Sequence, residues 1–122
     1  YPKTILIIDN DSDTIELYRR YLQPRGYHLR TAFSGEEARV ALAEGKPNLV
    51  LLDMLMPQED GWNILQQLKA NVDTADVPVI ICSVLDQPHL ALALGATEVL
   101  KKPIDQATLL GAIQRSLDTK CT

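Results

Sequence analysis

The sequence predicts an α/β fold: a doubly wound, five-stranded parallel sheet with helices on both faces, making a three-layer α/β/α sandwich. Three observations predict it. Short, wholly apolar runs such as Ile5-Leu6-Ile7-Ile8 and Leu49-Val50-Leu51-Leu52 have the continuous hydrophobicity of strands buried on both faces. Longer segments of helical period alternate with them, as repeated βα units require. Several runs also end on a polar residue, so reactive groups gather at the carboxyl edge of the predicted sheet, where ligands of open α/β sheets sit.

Strands are predicted over about 4–9, 27–32, 48–53, 77–83 and 97–101. Asp13 with Glu16 resembles a capping box that starts the first helix, and Ile15, Leu17, Tyr18, Tyr21 and Leu22 form its broad apolar face. Ser34-Gly35-Glu36-Glu37 repeats the start signal ahead of Ala38, Ala41 and Leu42, and Gly45 with Pro47 closes this second helix. Gly61 opens a third helix in which Trp62, Leu65 and Leu68 share a stripe. Pro88 begins a brief fourth helix, Leu90 to Leu94, ended by Gly95, and Asp105 caps a fifth with Leu109, Leu110, Ile113 and Leu117 inward. No internal repeat or linker interrupts the chain, so residues 1–122 read as one domain. The start at Tyr1 rather than Met suggests excision from a longer protein.

At 122 residues and 13.6 kDa the chain can build a single core without disulfides or a structural metal. A net charge of -4 and a pI near 5.0 leave no basic face for many phosphates, so direct nucleic-acid binding is not expected. No apolar run approaches the roughly 18 residues of a membrane span, and no signal peptide is evident, which points to the cytoplasm. Cys82 and Cys121 are too far apart for a CxxC pair and read as free thiols, and His28 and His89 read as surface or loop residues.

Asp9, Asp53, Ser83 and Lys102 stand at four strand ends, a set that coincidence explains poorly. Converging carboxylates repel one another, and a hard cation relieves the repulsion. Mg²⁺ suits such a shallow oxygen site, because it keeps several waters and binds through one or two carboxylates plus a phosphate oxygen. A carboxylate beside the metal can attack phosphorus to give an acyl phosphate, and Asp53 is the best placed to do so. Lys102 and the metal would neutralise the phosphoryl oxygens, while Ser83 would donate a hydrogen bond only when that group is attached. Contacts that differ between two covalent states are what a switch needs.

Four motifs in order carry a resemblance over the whole chain: Ile7-Ile8-Asp9-Asn10-Asp11; Leu52-Asp53-Met54-Leu55-Met56-Pro57 with Asp60-Gly61; Pro78 through Ser83; and Gly95-Ala96 followed by Lys102-Pro103. Together they resemble the response-regulator receiver domain of bacterial two-component signalling and phosphorelays. The resemblance implies a flavodoxin-like (βα)5 topology with strand order 2-1-3-4-5. It implies that Asp53 is the phosphoacceptor. Asp9, Asn10, Asp53 and the Leu55 backbone carbonyl would hold Mg²⁺, and Ser83 and Lys102 would grip the phosphoryl group. The donor would be the phosphohistidine of a sensor histidine kinase or phosphotransfer protein. A switched surface on the fourth helix, fifth strand and fifth helix would be read by an effector or support a homodimer. Such a domain is a signalling module rather than a classical enzyme.

Three departures from the family pattern stand out. Asn10 occupies the place of a second acid, which predicts weaker Mg²⁺ binding unless Asp11 turns inward. Val99 replaces the usual aromatic switch residue and Val84 the usual small residue, so a ring flip cannot operate. The segment from Ser83 to Gly95 is short, so the fourth helix is expected to be the most mobile region or to be steadied by a partner. Its Leu90, Leu92 and Leu94 either form a contact face or cover the sheet.

Other readings stay open at this point. A pseudo-receiver would keep the fold as a docking module without phosphorylation. A haloacid-dehalogenase-type phosphatase would use Asp9 as nucleophile and Asp11 as general acid, but leaves the Asp53 motif without a role. Flavin binding lacks a phosphate loop after the first strand, so no organic cofactor is expected.

Overall fold

The computed structural model describes residues 3–54, 61–84 and 88–120. Five strands alternate with five helices: β1 (Thr4–Ile8), α1 (Ser12–Leu22), β2 (His28–Ala32), α2 (Gly35–Glu44), β3 (Leu49–Leu52), α3 (Gly61–Ala70), β4 (Val79–Ser83), α4 (Pro88–Ala93), β5 (Glu98–Lys101) and α5 (Gln106–Lys120). All pairings are parallel and the order is β2-β1-β3-β4-β5, as expected. The observed strands fall within the predicted ranges.

The strand side chains alternate between two cores because successive residues point to opposite faces. Leu6, Ile8, Val50, Leu52, Val79 and Ile81 pack toward Ala38, Ile64, Leu65, Leu68 and Ala91, so α2, α3 and α4 cover one face. Ile5, Ile7, Leu49, Leu51, Ile80 and Cys82 pack with Ile15, Tyr18, Leu22, Leu109 and Ile113 under α1 and α5. Four consecutive buried residues in β3 explain why the strand reads as an unbroken apolar run.

Several local expectations are corrected. Asp11, not Asp13, caps α1: its Oδ1 accepts from the Asp13 N–H at 3.0 Å and its Oδ2 from the Thr14 hydroxyl at 2.8 Å. Leu17 leaves the apolar face of that helix and is 39% exposed. A 3₁₀ turn, Gln23–Arg25, follows and closes on Gly26 at φ 87°. Ser34 caps α2 as read, accepting from the Glu37 N–H, while the Glu37 carboxylate reaches back to the Phe33 N–H. In α3 the buried stripe is Ile64, Leu65 and Leu68, with Trp62 only half-buried. In α4, Leu90 and Leu92 face outward and Ala91 is buried against the sheet, while Leu94, just past the helix, is partly buried against the same core. Asp105 caps α5 as expected, its Oδ1 accepting from the Thr108 N–H at 2.7 Å.

Candidate functional site

β2 lies outside β1 and the chain then crosses back to β3, so the strand order reverses between β1 and β3. At that point the two flanking crossovers leave on opposite faces and open a crevice at the carboxyl edge. Asp9 and Asp53 are the first residues past β1 and β3. Each is fixed by one further ladder bond: the Asp9 N–H donates to the Ala32 carbonyl at 3.0 Å, and the Asp53 N–H to the Ile8 carbonyl at 2.9 Å. Both acids are buried, 1% and 6% exposed.

Lys102, just past β5, brings an ammonium to them. Its backbone N–H donates to the Ser83 carbonyl at 2.9 Å, tying it to the end of β4. The Nζ donates to Asp9 Oδ2 at 2.9 Å and lies 3.5 Å from Asp53 Oδ2. Burial alone would push the Lys102 pKa down, but the Asp9 hydrogen bond and the charges of Asp9 and Asp53 outweigh it and hold the ammonium above the ordinary lysine value. Asp9 Oδ1 also accepts from the Asp11 N–H at 2.9 Å, so both oxygens of this carboxylate already have partners.

Ser83 is the last residue of β4 and only 1% exposed. Residues 9, 53, 83 and 102 are therefore gathered at one edge. Asn10 is exposed in the loop after β1, and Leu55, the expected carbonyl ligand, lies outside the described residues. Among the described residues no group of three or more His, Cys, Asp and Glu side chains could hold a metal. Asp11 does not compensate, because its carboxylate caps α1.

Gly61 supports the site from the other side. Its N–H donates to the Met54 carbonyl at 3.3 Å, and a Cβ there would stand 2.5 Å from Met54 Cα and 2.8 Å from the Asp53 carbonyl oxygen. The helix start can approach the end of β3 this closely only without a side chain. Beneath the site, Tyr18 and Cys82 are buried side by side in the α1/α5 core. Burial pushes the Cys82 thiol up to about 12, so it stays protonated and inert. A surface groove of about 340 Å³ between α2 and α3 contains none of the gathered residues and is separate from this chemistry.

Sequence reasoning overlooked how much Asp11 and Gly61 do structurally. The spacing of Gly61 after Asp53 was visible, but the contact that demands glycine was not. Two buried carboxylates sharing one ammonium at the switch point of such a sheet suit phosphoryl capture.

The comparisons agree. Residues 5–114 match the family described as the response regulator receiver domain. The chain is 30% identical over 118 residues to the transcriptional regulatory protein GltR of Pseudomonas aeruginosa, covering 94% of this chain and 49% of that protein. It is 31% identical over 116 residues to the DNA-binding dual master transcriptional regulator RpaA of Synechocystis, covering 93% of this chain and 48% of that protein. It thus spans about half the length of these relatives. The chemotaxis protein CheY4 of Vibrio cholerae superposes with a TM-score of 0.89 at 25% identity, over 96% of this chain and all of that one. The chain belongs to the response regulator receiver domain family of two-component signalling.

Proposed function

We propose that Asp53 of this receiver domain is the phosphoacceptor. The observation that carries the reading is the Lys102 ammonium, held 2.9 Å from Asp9 and 3.5 Å from Asp53 beside a buried Ser83 at the strand-order reversal. In the proposed step an Asp53 carboxylate oxygen bonds to phosphorus as the phosphorus–nitrogen bond of a kinase phosphohistidine breaks. The imidazole leaves with that electron pair. Phosphoryl transfer is governed by positioning and charge, and a fixed ammonium serves both. Lys102 follows the new oxygens, and the Ser83 hydroxyl donates to one of them.

The hard oxygen donors of Asp9 and Asp53 fit a divalent cation, with Asn10 offering an amide oxygen in place of a carboxylate. Mg²⁺ would supply charge neutralisation to the phosphoryl oxygens. Its affinity for the unphosphorylated chain is weak, because Asp9 is already engaged at both oxygens and Asn10 lacks a charge.

The donor is a sensor histidine kinase or phosphotransfer protein in the cytoplasm, and the output lies on α4, β5 and α5, where a homodimer or an effector reads it. GltR and RpaA are named as transcriptional regulators, and an effector joined to this chain is part of the proposal. Val99 is half-buried against the α3/α4 core, so coupling runs through backbone and helix rather than an aromatic flip.

Acetyl phosphate with Mg²⁺, followed by intact mass measurement, tests the reading. A single phosphoryl adduct on the wild type and none on Asp53→Asn supports it. No adduct on either protein favours a docking-only receiver.

A further inference from the structure

The helix that begins the output surface is only six residues long, too short to hold itself, so its position must be set by what it touches. Its carboxyl end is a Schellman motif: the Gly95 N–H donates to the Leu92 carbonyl at 3.1 Å and the Ala96 N–H to the Ala91 carbonyl at 3.0 Å, with Gly95 at φ 109°. The next residue enters the sheet, the Thr97 N–H donating to the Val79 carbonyl at 2.8 Å and its Oγ1 accepting from the Val79 N–H at 3.3 Å.

Lys69, near the end of α3, covers this motif. A Cβ on Gly95 would lie 2.9 Å from Lys69 Cγ and 3.2 Å from Cδ, so the lysine stem lies flat on the glycine. The ammonium continues past it and donates to the Val77 carbonyl at 2.8 Å and the Ala75 carbonyl at 3.2 Å, just ahead of β4. One side chain therefore joins α3, the approach to β4 and the turn from α4 to β5. Stem packing and a charge-assisted bond act in the same residue.

We propose that Lys69 is a positioning residue for α4, a strap from α3 that fixes the Gly95 hinge and sets how readily the helix shifts. In a chain with Val99 in place of an aromatic lever, the strap makes the α3–α4 contact the seat of that control. Naming α4 as an output element rests on the proposed function above; the strap itself does not.

Hydrogen exchange on the unphosphorylated full chain tests the strap independently of phosphorylation. Lys69→Ala is expected to speed exchange of the Gly95 and Ala96 amides by about tenfold or more while leaving the Ile7 and Leu51 amides unchanged. Lys69→Met, which keeps the stem and loses the ammonium, falls between, and Lys69→Arg restores protection. Exchange at Gly95 and Ala96 within about twofold of wild type in Lys69→Ala, or an equal acceleration at Ile7 and Leu51, overturns the proposal.

Discussion

The Lys102 ammonium donates a 2.9 Å hydrogen bond to the Asp9 carboxylate, across 93 residues of chain. Both groups are largely buried, with side chains 19% and 2% exposed, so neither can fall back on water if the other is removed. Lys102→Met is expected to lose about 3 kcal/mol of stability at neutral pH, measured by urea unfolding. Because the folded-state pKa of Lys102 lies above its ordinary value of 10.5, its contribution is complete below 10.5 and is lost as pH rises through the folded-state value. The variant should lack that alkaline loss. Equal stability and an identical alkaline limb would show that the ion pair contributes nothing net.

Gly61→Ala places a methyl group 2.5 Å from Met54 Cα, where backbone rather than a flexible side chain must yield. A destabilisation of about 1–3 kcal/mol is expected, together with slower phosphorylation, because the displaced backbone carries Asp53. Thermal melts and adduct accumulation measure both. A variant with wild-type melting and wild-type adduct formation would mean that the close approach relaxes without moving the site.

Asn10→Asp should tighten Mg²⁺ binding to the unphosphorylated chain. A carboxylate about 4 Å from the metal adds a few kcal/mol of attraction at an effective dielectric near 20, before its own desolvation is subtracted, so a gain of about tenfold in affinity is a conservative expectation. Calorimetric titration of the two proteins decides it, and equal affinities would make the substitution silent.

The helix caps should leave an acid-side signature. Hydrogen bonds hold the carboxyls of Asp11, chiefly through Thr14, and of Asp105, through Thr108, below the usual value of 3.8. Their stabilisation is present above 3.8 and lost as pH falls through the lower folded-state values. Asp11→Ala and Asp105→Ala should each lower the melting temperature at pH 7, with the difference from wild type shrinking below pH 3.8. A difference that persists unchanged in acid would assign the effect to something other than the carboxylate caps.

The sheet was legible because buried parallel strands announce themselves as unbroken apolar runs, Asp9, Asp53 and Ser83 because each stands where such a run stops, and Lys102 because it precedes Pro103 just past the last strand. The cap of α1 was misplaced since Asp11 and Asp13 are chemically identical candidates, and only the backbone turn decides between them. The outward set of Leu90 and Leu92 was not readable, because six residues give too little period to define a face. Long-range straps were invisible for a plainer reason. Lys69 meets Gly95 across 26 residues, and Arg30 donates to the carbonyls of Ala41 and Gly45 at the end of α2, contacts that no local pattern encodes.

Locating the phosphoryl group tests the central claim most directly. After phosphorylation with acetyl phosphate, borohydride reduction converts an aspartyl phosphate to homoserine, and peptide mass mapping finds the residue. Homoserine at position 53, dependent on Mg²⁺ and absent in Asp53→Asn, is the predicted result. Homoserine at position 9, or no conversion at any aspartate, would contradict it.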